Sequence, residues 1–399
     1  MADASLAQLA IATESSPGVA ESLVLGDVVT KITSAATPEV KVEKVTSDEV
    51  TATQSPEVAT NGKATFRMGS VVWRLRGKAA PYGTGTTPPA TGPLMKAGLF
   101  RELPCRLVDT NAVQTFYAGE PITFDNTPTA LAICVKTTTT TIGGTLPVAF
   151  ISDPVPASLG SPEVIRGASG NTCASDGILT GYGYAYLPGK VVNDAAGYHA
   201  TLQLIADGYG WRGRGCLAST SFGFGTRSHV TVTQEYVGAF SAAGDMTEFA
   251  VTSYPETIAP PIAMCTLPKF GGYQPKGLKN VRIEAPVQLD YVEDFGDCNG
   301  GILFANGKRL PVVLTCEVDR SDQATKDWET EYRNNGDVAE ISFVIGDTSG
   351  AYWDFILPKA QLMDLNPSRG DGDRATFQLQ FTATRAFGGN DELIIVNRN

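Results

Sequence analysis

Apolar and polar residues alternate along most of this chain, and a period of two residues predicts β-strands. The alternation indicates one hairpin joining residues 216–224 to 229–237, a second joining 338–346 to 351–357, and a single strand over 279–289. All but the first of the four longest segments have one polar face, which is typical of a half-buried sheet or a channel lining. These four segments cover residues 63–75, 229–237, 310–319 and 376–384.

The faces of the segment at residues 63–75 are ambiguous. Phe66 and Met68 share one face by the two-residue period. Trp73 and Leu75, however, share their parity with Arg67 on the opposite face. The pattern therefore leaves open which face of this strand is buried.

Only two segments show a helical pattern. Residues 91–100 begin with Thr91 as a candidate N-cap and place Pro93 in the first turn, where its missing N–H costs nothing. Residues 321–335 place apolar side chains every four residues after a cap at Ser321 or Asp322. We expect sheets to pack around the first helix, although an ordinary connecting helix would explain the same residues.

The spacing of these elements predicts a mainly β fold. We expect a β-sandwich or barrel with one or two flanking short α-helices and a loop-rich β insertion. Residues 1–34 form an N-terminal arm, residues 35–101 and 200–399 form the sandwich core, and residues 102–199 form an insertion or small β subdomain. The Gly-, Thr- and Pro-rich residues 77–89 are predicted to be a loop.

Composition limits the classes of function. The 399 residues carry a net charge of −11, so the chain lacks the cationic surface that binds nucleic-acid phosphates, although like charge suits a wall that DNA slides past. The first twelve residues lack a signal-peptide pattern, and no apolar run is long enough to predict a transmembrane helix. The seven cysteines have no Cys-x-x-Cys spacing, so we expect reduced thiols, several of them in the core.

The sequence offers no clear catalytic, cofactor or metal site. His199 and His229 are the only histidines, and neither lies among ligands at metal-binding spacing. The Gly-rich residues 207–215 lack the Lys-Ser/Thr of a phosphate-binding loop and are interpreted as a solvated turn. Asp371 and Asp373 lack the remaining ligands of a calcium loop. We therefore predict that the protein is not an enzyme and holds no cofactor or metal.

Several short motifs occur in an order that is similar to one protein family. Residues 12–18 (Ala-Thr-Glu-Ser-Ser-Pro-Gly) and residues 92–98 (Gly-Pro-Leu-Met-Lys-Ala-Gly) resemble the start and the helix of tail tube proteins of long, non-contractile (siphovirus-type) bacteriophage tails. The helix motif departs by one residue around its second glycine. Further resemblances lie at residues 42–45, 63–75, 213–238, 327–333 with Gly336, 357–362, 371–381 and 391–393. Residues 102–199 have no counterpart in the resemblance.

The resemblance implies a structural subunit of the virion tail, assembled in the host cytoplasm. It implies hexameric rings stacked into a tube with an acidic lumen that conducts the genome during ejection, with the tape-measure, tail terminator and baseplate or distal tail proteins as partners. Double-stranded DNA would be present only in transit, and no membrane would be involved. Four long strands per subunit would close a 24-stranded inner barrel about 45–50 Å across.

The polar faces of the long strands are the candidate lining of that tube. We expect the N-terminal arm and the loop at residues 77–89 to contact neighbouring rings. The side chains predicted to face the lumen are Thr233, Glu235, Thr315, Glu317, Asp319, Thr376, Gln378, Gln380 and Thr382.

A second class of function stays open. The chain could be a carbohydrate- or surface-binding β-sandwich of a virion or a secreted protein, with an aromatic site carried by residues 102–199. Ordinary core packing would explain the same aromatic side chains, and a hydrolase on a β scaffold is a weaker third possibility. The aromatic candidates are Tyr182, Tyr184, Tyr186 and Trp211.

Overall fold

The computed structural model of the chain describes residues 7–29, 33–45, 60–76, 89, 91–152, 155–189, 197–225, 228–250, 268–294, 301–320, 325–338, 340–346, 352–369, 375–387 and 391–398. Within these residues strands far outnumber helices, which confirms the predicted mainly β class. All but one residue of the predicted loop at 77–89 lies outside them. No helix in these ranges is long and apolar enough to cross a membrane.

The first half of the chain forms fourteen strands, one turn of 3-10 helix at Leu25–Asp27 and the helix α1 (Gly92–Ala97). The strands are β1 (Gln8–Thr13), β2 (Val28–Val29), β3 (Ser34–Ala35), β4 (Glu39–Val45), β5 (Thr60–Arg74), β6 (Phe100–Thr110), β7 (Thr115–Phe116), β8 (Pro121–Phe124), β9 (Leu131–Cys134), β10 (Thr138–Thr139), β11 (Gly144–Phe150), β12 (Glu163–Gly167), β13 (Thr172–Ser175) and β14 (Leu179–Pro188).

The second half forms fourteen further strands and the helix α2 (Trp328–Arg333). The strands are β15 (Ala200–Ala206), β16 (Tyr209–Phe224), β17 (Thr231–Asp245), β18 (Lys269–Phe270), β19 (Lys279–Ala285), β20 (Val287–Glu293), β21 (Ile302–Arg309), β22 (Val313–Asp319), β23 (Asp337–Val338), β24 (Ile341–Ile345), β25 (Tyr352–Leu357), β26 (Ala360–Arg369), β27 (Ala375–Ala383) and β28 (Ile394–Arg398).

The first sheet has thirteen antiparallel strands and branches at β16. One edge of β16 pairs with β15 along its first half and with β19 along its second half, while β17 follows the opposite edge over nearly the whole length. Beyond β17 lie β5 and then the short β3 and β4. Beyond β19 follow β22, β27, β26 and β23. The predicted hairpin of β16 and β17 is confirmed.

A β-bulge resolves the ambiguous faces of β5. Glu235 of β17 pairs with Ser70, but the next residue, Tyr236, pairs with Met68, so Gly69 is the extra residue. A bulge of this kind reverses the parity of the strand beyond it. Met68 and Trp73 are therefore both buried on the core side, although their positions differ by an odd number.

The second sheet has eleven antiparallel strands, in the order β13-β12-β8-β9-β11-β6-β14-β28-β25-β24-β18. Residues 102–199 supply most of one half of it, and β14 pairs directly with the C-terminal β28. The segment also has its own cluster of buried side chains around Phe116, Phe124 and Phe150. It therefore combines a separate small core with a sheet that is continuous with the C-terminal strands. The predicted hairpin of β24 and β25 lies in this sheet and is confirmed.

The two sheets pack face to face around one large aromatic and aliphatic core. Phe355 of the second sheet contacts Phe222 and Phe224 of the first, with ring centroids 5.3 and 4.9 Å apart. Edge-to-face contacts of this type add to the free energy gained from burying the rings. The core thus holds the long strands of the first sheet with one face inward.

Helix α1 lies against the core side of the first sheet, where Gln234 fixes it. The Gln234 amide Nε2 donates to the Leu94 carbonyl at 2.8 Å, and its Oε1 accepts hydrogen bonds from Trp73 Nε1 and the Tyr236 hydroxyl. A Cβ atom at Gly98 would lie 2.4 Å from Thr220 Oγ1, so only glycine permits this approach. The helix is shorter than the predicted 91–100.

Helix α2 is also shorter than predicted, and its cap is different. Asp327 occupies the N-cap, and its carboxylate accepts a hydrogen bond from the Thr330 amide at 3.1 Å. The predicted caps, Ser321 and Asp322, lie outside the described residues. The side chain of Trp328 is buried against Phe270 and Phe381.

Residues 7–29 of the predicted arm join the first sheet through β1, which lies between β2 and β15. Glu14 anchors the chain after β1, because its buried carboxylate accepts hydrogen bonds from Thr201 Oγ1 and from the amides of Gly18 and Gly215. Burial raises the pKa of Glu14, while these hydrogen bonds oppose the shift. The described part of the arm is thus tied to the sandwich by a buried acid.

Candidate functional site

The nine side chains predicted to line a tube belong to three strands of the first sheet and share the parity that points away from its core. On β22 and β27 they are direct cross-strand partners, with Thr315 opposite Gln380 and Glu317 opposite Gln378. The two candidates on β17 lie farther along the sheet, because β16 and β19 separate β17 from β22. The four longest predicted strands are therefore not all adjacent in this sheet, so they alone cannot form a continuous barrel wall.

Accessibility differs among the nine. Glu235, Gln378 and Gln380 are exposed, whereas Thr233, Thr315, Glu317, Asp319 and Thr382 are half-buried. Thr376 is an exception, because only 4% of it is exposed and its hydroxyl donates to the Ser368 carbonyl at 3.4 Å. Thr376 thus shares the outward parity of β27, but its side chain is covered on that side.

Sequence reasoning missed the residues that connect the two groups of candidates. On β16, Ser221 pairs with Thr233 and with Glu284 of β19, and Arg282 of β19 pairs with Thr315. At the far edge, Asp364 and Asn366 of β26 pair with Gln380 and Gln378. The alternation in residues 216–224 indicated that the serines share one face of their strand. No pattern within one strand, however, identifies its neighbours in the sheet.

The resulting face, here called the open face, runs from β5 to β26 and is polar rather than strongly acidic. Hydroxyl and amide side chains dominate it. Arg282 and Glu284 form an ion pair of 2.9 Å, and Asn280 Nδ2 donates to Glu317 Oε2 at 3.2 Å. The carboxylates on the face are Glu235, Glu284, Glu317, Asp319 and Asp364, and the cations are Arg67, Arg74, Lys279 and Arg282.

The hairpin of β20 and β21 covers the other end of this face. Val287 and Ala305 pack on Leu217, and Lys63 Nζ lies 2.6 Å from Glu293 Oε1. The predicted single strand at residues 279–289 is therefore wrong, since Pro286 separates β19 from β20. Proline cannot donate a backbone hydrogen bond to the ladder, so the strand ends there.

Because the first sheet branches, it has three outer edges, at β2, at β3 and β4, and at β26 with β23, and the last two include long stretches without strand partners in the described residues. Within the described residues β4 pairs only with β5, and β26 pairs on its outer side only through Gln361 and Ala360 with β23. The Leu362 amide donates to the Gly336 carbonyl, and residues 363–369 of β26 have no strand partner on that side among the described residues, including the exposed Met363. Such edges pair readily with other chains.

The aromatic candidates for a carbohydrate site do not form one site. Tyr184 and Tyr186 are buried in the main core, where Tyr186 stacks on Trp353 with ring centroids 6.2 Å apart. Tyr182 packs on the opposite side of the second sheet, and Trp211 lies in the first sheet beside Tyr209. Core packing explains the alternating tyrosines, so the aromatic site that the sequence left open is not assembled.

The Gly-rich residues 207–215 were interpreted as a solvated turn, and that interpretation is wrong beyond Gly208. β16 begins at Tyr209, and bulges near Arg212 and Arg214 interrupt its ladder. Arg214 does not face a ligand, because its guanidinium donates to the carbonyls of Gly18 and Ile302. These arginines join the arm and the β20–β21 hairpin to the sheet.

The remaining reactive groups are structural in the part of the chain that is described. It contains no group of three or more His, Cys, Asp or Glu side chains that could hold a metal ion. His199 Nε2 donates to the Ala305 carbonyl at 2.8 Å, and burial lowers its pKa. The five described cysteines are free and buried, and burial raises the pKa of Cys134 to about 12, which keeps its thiol protonated.

No protein-family model matches the chain, and no curated protein matches it either.

Proposed function

We propose that this chain is the structural, non-enzymatic subunit of a bacteriophage tail tube of the long, non-contractile type. Six copies would form a ring, and stacked rings would surround a bore that conducts the genome into the host. The observation that supports this most is the open face, a wide polar surface backed by an apolar core. A ring gives such a face a role that an isolated sandwich does not.

The chemistry of the open face fits a wall that does not hold DNA. Proteins bind duplex DNA mainly through cations that contact phosphates. On this face carboxylates outnumber cations among the described residues, and Arg282 is already paired with Glu284. Hydroxyl and amide groups keep the surface hydrated, so a polyanion would pass without strong attachment.

Ring closure in this proposal uses two of the three outer edges of the first sheet. β4 of one copy would approach β26 of the next, which would satisfy backbone groups that are otherwise a liability in solution. The contact joins two different surfaces of the same chain, and such contacts generate rings when the rotation closes. Because β16 and β19 lie within the sheet, more than four strands per copy would border the bore.

Residues that carry the family resemblance also have defined structural roles, which supports the proposal. Glu14 anchors the arm, Gly98 permits the approach of α1 to the sheet, and Trp328 is buried at the start of α2. Gly336 has a φ of 63°, and a Cβ there would lie 2.6 Å from the Leu362 carbonyl oxygen.

In this proposal the protein belongs to the virion tail and assembles in the host cytoplasm. Its main partner is itself, and the tape-measure, tail terminator and baseplate or distal tail proteins complete the structure. Double-stranded DNA is present in the bore only in transit, and no cofactor is required.

The first test is electron microscopy of the purified full-length chain at increasing concentration, with or without a tail initiator complex. We expect tubes with an open channel. A second measurement compares the double variant Glu317→Lys/Asp319→Lys with the wild type. The variant should still form tubes, but the tubes should bind duplex DNA in a salt-dependent manner because the bore now carries added cations. Phage carrying this variant should eject DNA more slowly.

The matched control is Asp176→Lys/Glu248→Lys, which makes the same change in charge at exposed positions outside the open face. Tubes of the control variant should not gain DNA binding in the bore. A wild-type protein that stays monomeric under all conditions would refute the proposal. Equal DNA binding and ejection for the two double variants would refute the assignment of the open face to the bore.

A further inference from the structure

A cleft opens at the base of the β20–β21 hairpin, between the hairpin, the start of β22 and the chain beyond β27. Its volume is about 1090 Å³. The cleft is open to solvent and is lined by both apolar and charged side chains, which distinguishes it from an ordinary packing defect. Its walls include apolar side chains and three cations, namely Pro188, Leu310, Pro311, Lys308, Arg309 and Arg385.

Arg309 places a buried positive charge at the back of the cleft. Its Nη1 donates to the Leu99 carbonyl at 2.7 Å, and its guanidinium lies 4.8 Å from the centre of the Phe100 ring. Its Nη2 is buried and has no acceptor. Burial lowers the pKa of Arg309 to about 10, so the group remains a cation at neutral pH.

Two further cations line the outer part of the cleft. Lys308 and Arg385 are exposed, and neither forms an ion pair with any described residue. Asp290 and Glu392 are the carboxylates among the lining residues. The cleft therefore has an excess of positive charge, although the chain as a whole carries a net charge of −11.

A surface of complementary character lies on the loop between β1 and β2. Val19, Val24 and Leu25 of this loop are 56%, 58% and 50% exposed. The loop also carries two carboxylates, Glu21 and Asp27. No residue of the loop lines the cleft of its own chain.

The loop is held in shape before any contact is made. The Glu21 amide donates to Thr201 Oγ1 at 2.9 Å, and its carboxylate accepts from the Ser15 amide at 2.8 Å. Asp27 Oδ2 accepts from the Val24 amide at 2.8 Å. A preformed loop loses less conformational entropy on binding than a mobile one.

We propose that the cleft of one copy binds residues 19–27 of a second copy. Val24 and Leu25 would cover the apolar wall of the cleft, and the two carboxylates of the loop would face Lys308 and Arg385. The loop and the cleft match in charge and in apolar exposure, and they do not contact each other within one chain. The proposal rests on the proposed function in that both require self-association.

This contact joins different surfaces of identical chains. Contacts of that type repeat from copy to copy and build rings or filaments instead of closed dimers. The loop–cleft contact is separate from the sheet edges β4 and β26. It would therefore supply a second set of contacts between copies, sensitive to salt because its charges are exposed.

Charge reversal tests the contact in the full-length chain. The variants are Lys308→Glu/Arg385→Glu in the cleft, Glu21→Lys/Asp27→Lys in the loop, and the quadruple variant that combines them. Sedimentation velocity and light scattering give the concentration at which half of the protein assembles. We expect each double variant to raise this concentration at least tenfold and the quadruple variant to recover most of the loss.

The control variant Lys269→Glu/Arg333→Glu changes the charge by the same amount at exposed positions outside the cleft. It should assemble like the wild type, and circular dichroism checks that all variants are folded. Assembly of the cleft variant at the control's concentration would overturn the inference.

The outcomes separate this inference from the proposed function. Tubes that form equally well in all variants would leave the tail tube proposal standing and refute the loop–cleft contact. Charge-dependent assembly into particles without a channel would support the contact and refute the tube. A wild-type chain that never associates would refute both.

Discussion

The two sheets of the sandwich differ in how many of their faces are buried. In β27 of the first sheet, Phe377 and Leu379 point into the core while Gln378 is exposed on the open face. In β25 of the second sheet, Phe355 points into the same core, but Ile356 on the other side is buried in a further apolar cluster. At β25 the second sheet therefore has two apolar faces and at β27 the first sheet has one, although the outer strands β8 and β13 of the second sheet alternate buried and exposed residues.

This difference indicates where function can lie. Substitution on a face that is buried changes packing and therefore stability. Substitution on the open face removes few contacts, so those side chains are free to be chosen for what they present to the surroundings. The polar side chains of the first sheet are thus candidates for function, whereas those of the second sheet are explained by folding.

The sharpest contrast should come from one large core side chain. We expect Phe355→Ala to lower the free energy of unfolding by about 3–5 kcal/mol, because it leaves a cavity between Phe222 and Phe224. Gln380→Ala on the open face should change it by less than about 0.5 kcal/mol. Urea unfolding followed by tryptophan fluorescence measures both. Similar losses for the two variants would show that the open face is packed against something.

Ion pairs should separate the sheets in the same way. Arg398 Nε donates to the buried Asp354 carboxylate at 2.7 Å in the second sheet. We expect Asp354→Ala to cost about 3 kcal/mol, because it leaves the Arg398 cation without its partner in a largely buried site. The Arg282–Glu284 pair of the open face has both side chains at least 40% exposed, so Glu284→Ala should cost less than about 1 kcal/mol.

A double variant tests the cause of the larger loss. Asp354→Leu/Arg398→Met replaces the buried pair with apolar side chains of similar size, and it should recover much of the stability. Urea midpoints of the single and double variants provide the comparison. A double variant as unstable as Asp354→Ala would show that the loss reflects packing and not an unpaired charge.

The sequence predicted the elements with regular alternation and failed where the alternation is interrupted. β22 and β27 alternate without a bulge, and they were found together with the polar candidates on them. The first half of β16 was taken for a turn, because two bulges and several glycines hide its period. Gly69 in β5 had the same effect on the assignment of faces.

Neighbouring strands could not be predicted, because pairing in this fold joins residues far apart in the chain. β14 and β28 are direct partners although about two hundred residues separate them. No local pattern predicts such a pair, so the sequence did not show that residues 102–199 share a sheet with the C-terminal strands. The nine candidates share the outward parity of their own strands, but the strands that connect them were missed for the same reason.

The smallest predicted effect on stability concerns the end of the first sheet that the hairpin covers. His199 contacts the β20–β21 hairpin that covers this end, with its ring 5.0 Å from the Phe304 ring and its Nε2 donating to the Ala305 carbonyl of β21. Burial lowers the pKa of His199 below its ordinary value of 6.5, so the unfolded chain binds a proton in a range where the folded chain does not. The free energy of unfolding should therefore fall as pH decreases below about 6.5, until the folded-state pKa is reached.

The variant His199→Gln keeps a side-chain hydrogen-bond donor but cannot take up a proton. It should be slightly less stable than the wild type at pH 8, since it loses the ring contact with Phe304. Its loss of stability between pH 6.5 and pH 5 should be smaller than that of the wild type, because one proton-linked group is gone. Urea unfolding at several pH values gives the two slopes. Parallel slopes would mean that this end of the sheet is open enough to hydrate the imidazolium, and the covered end would then differ little from the open face.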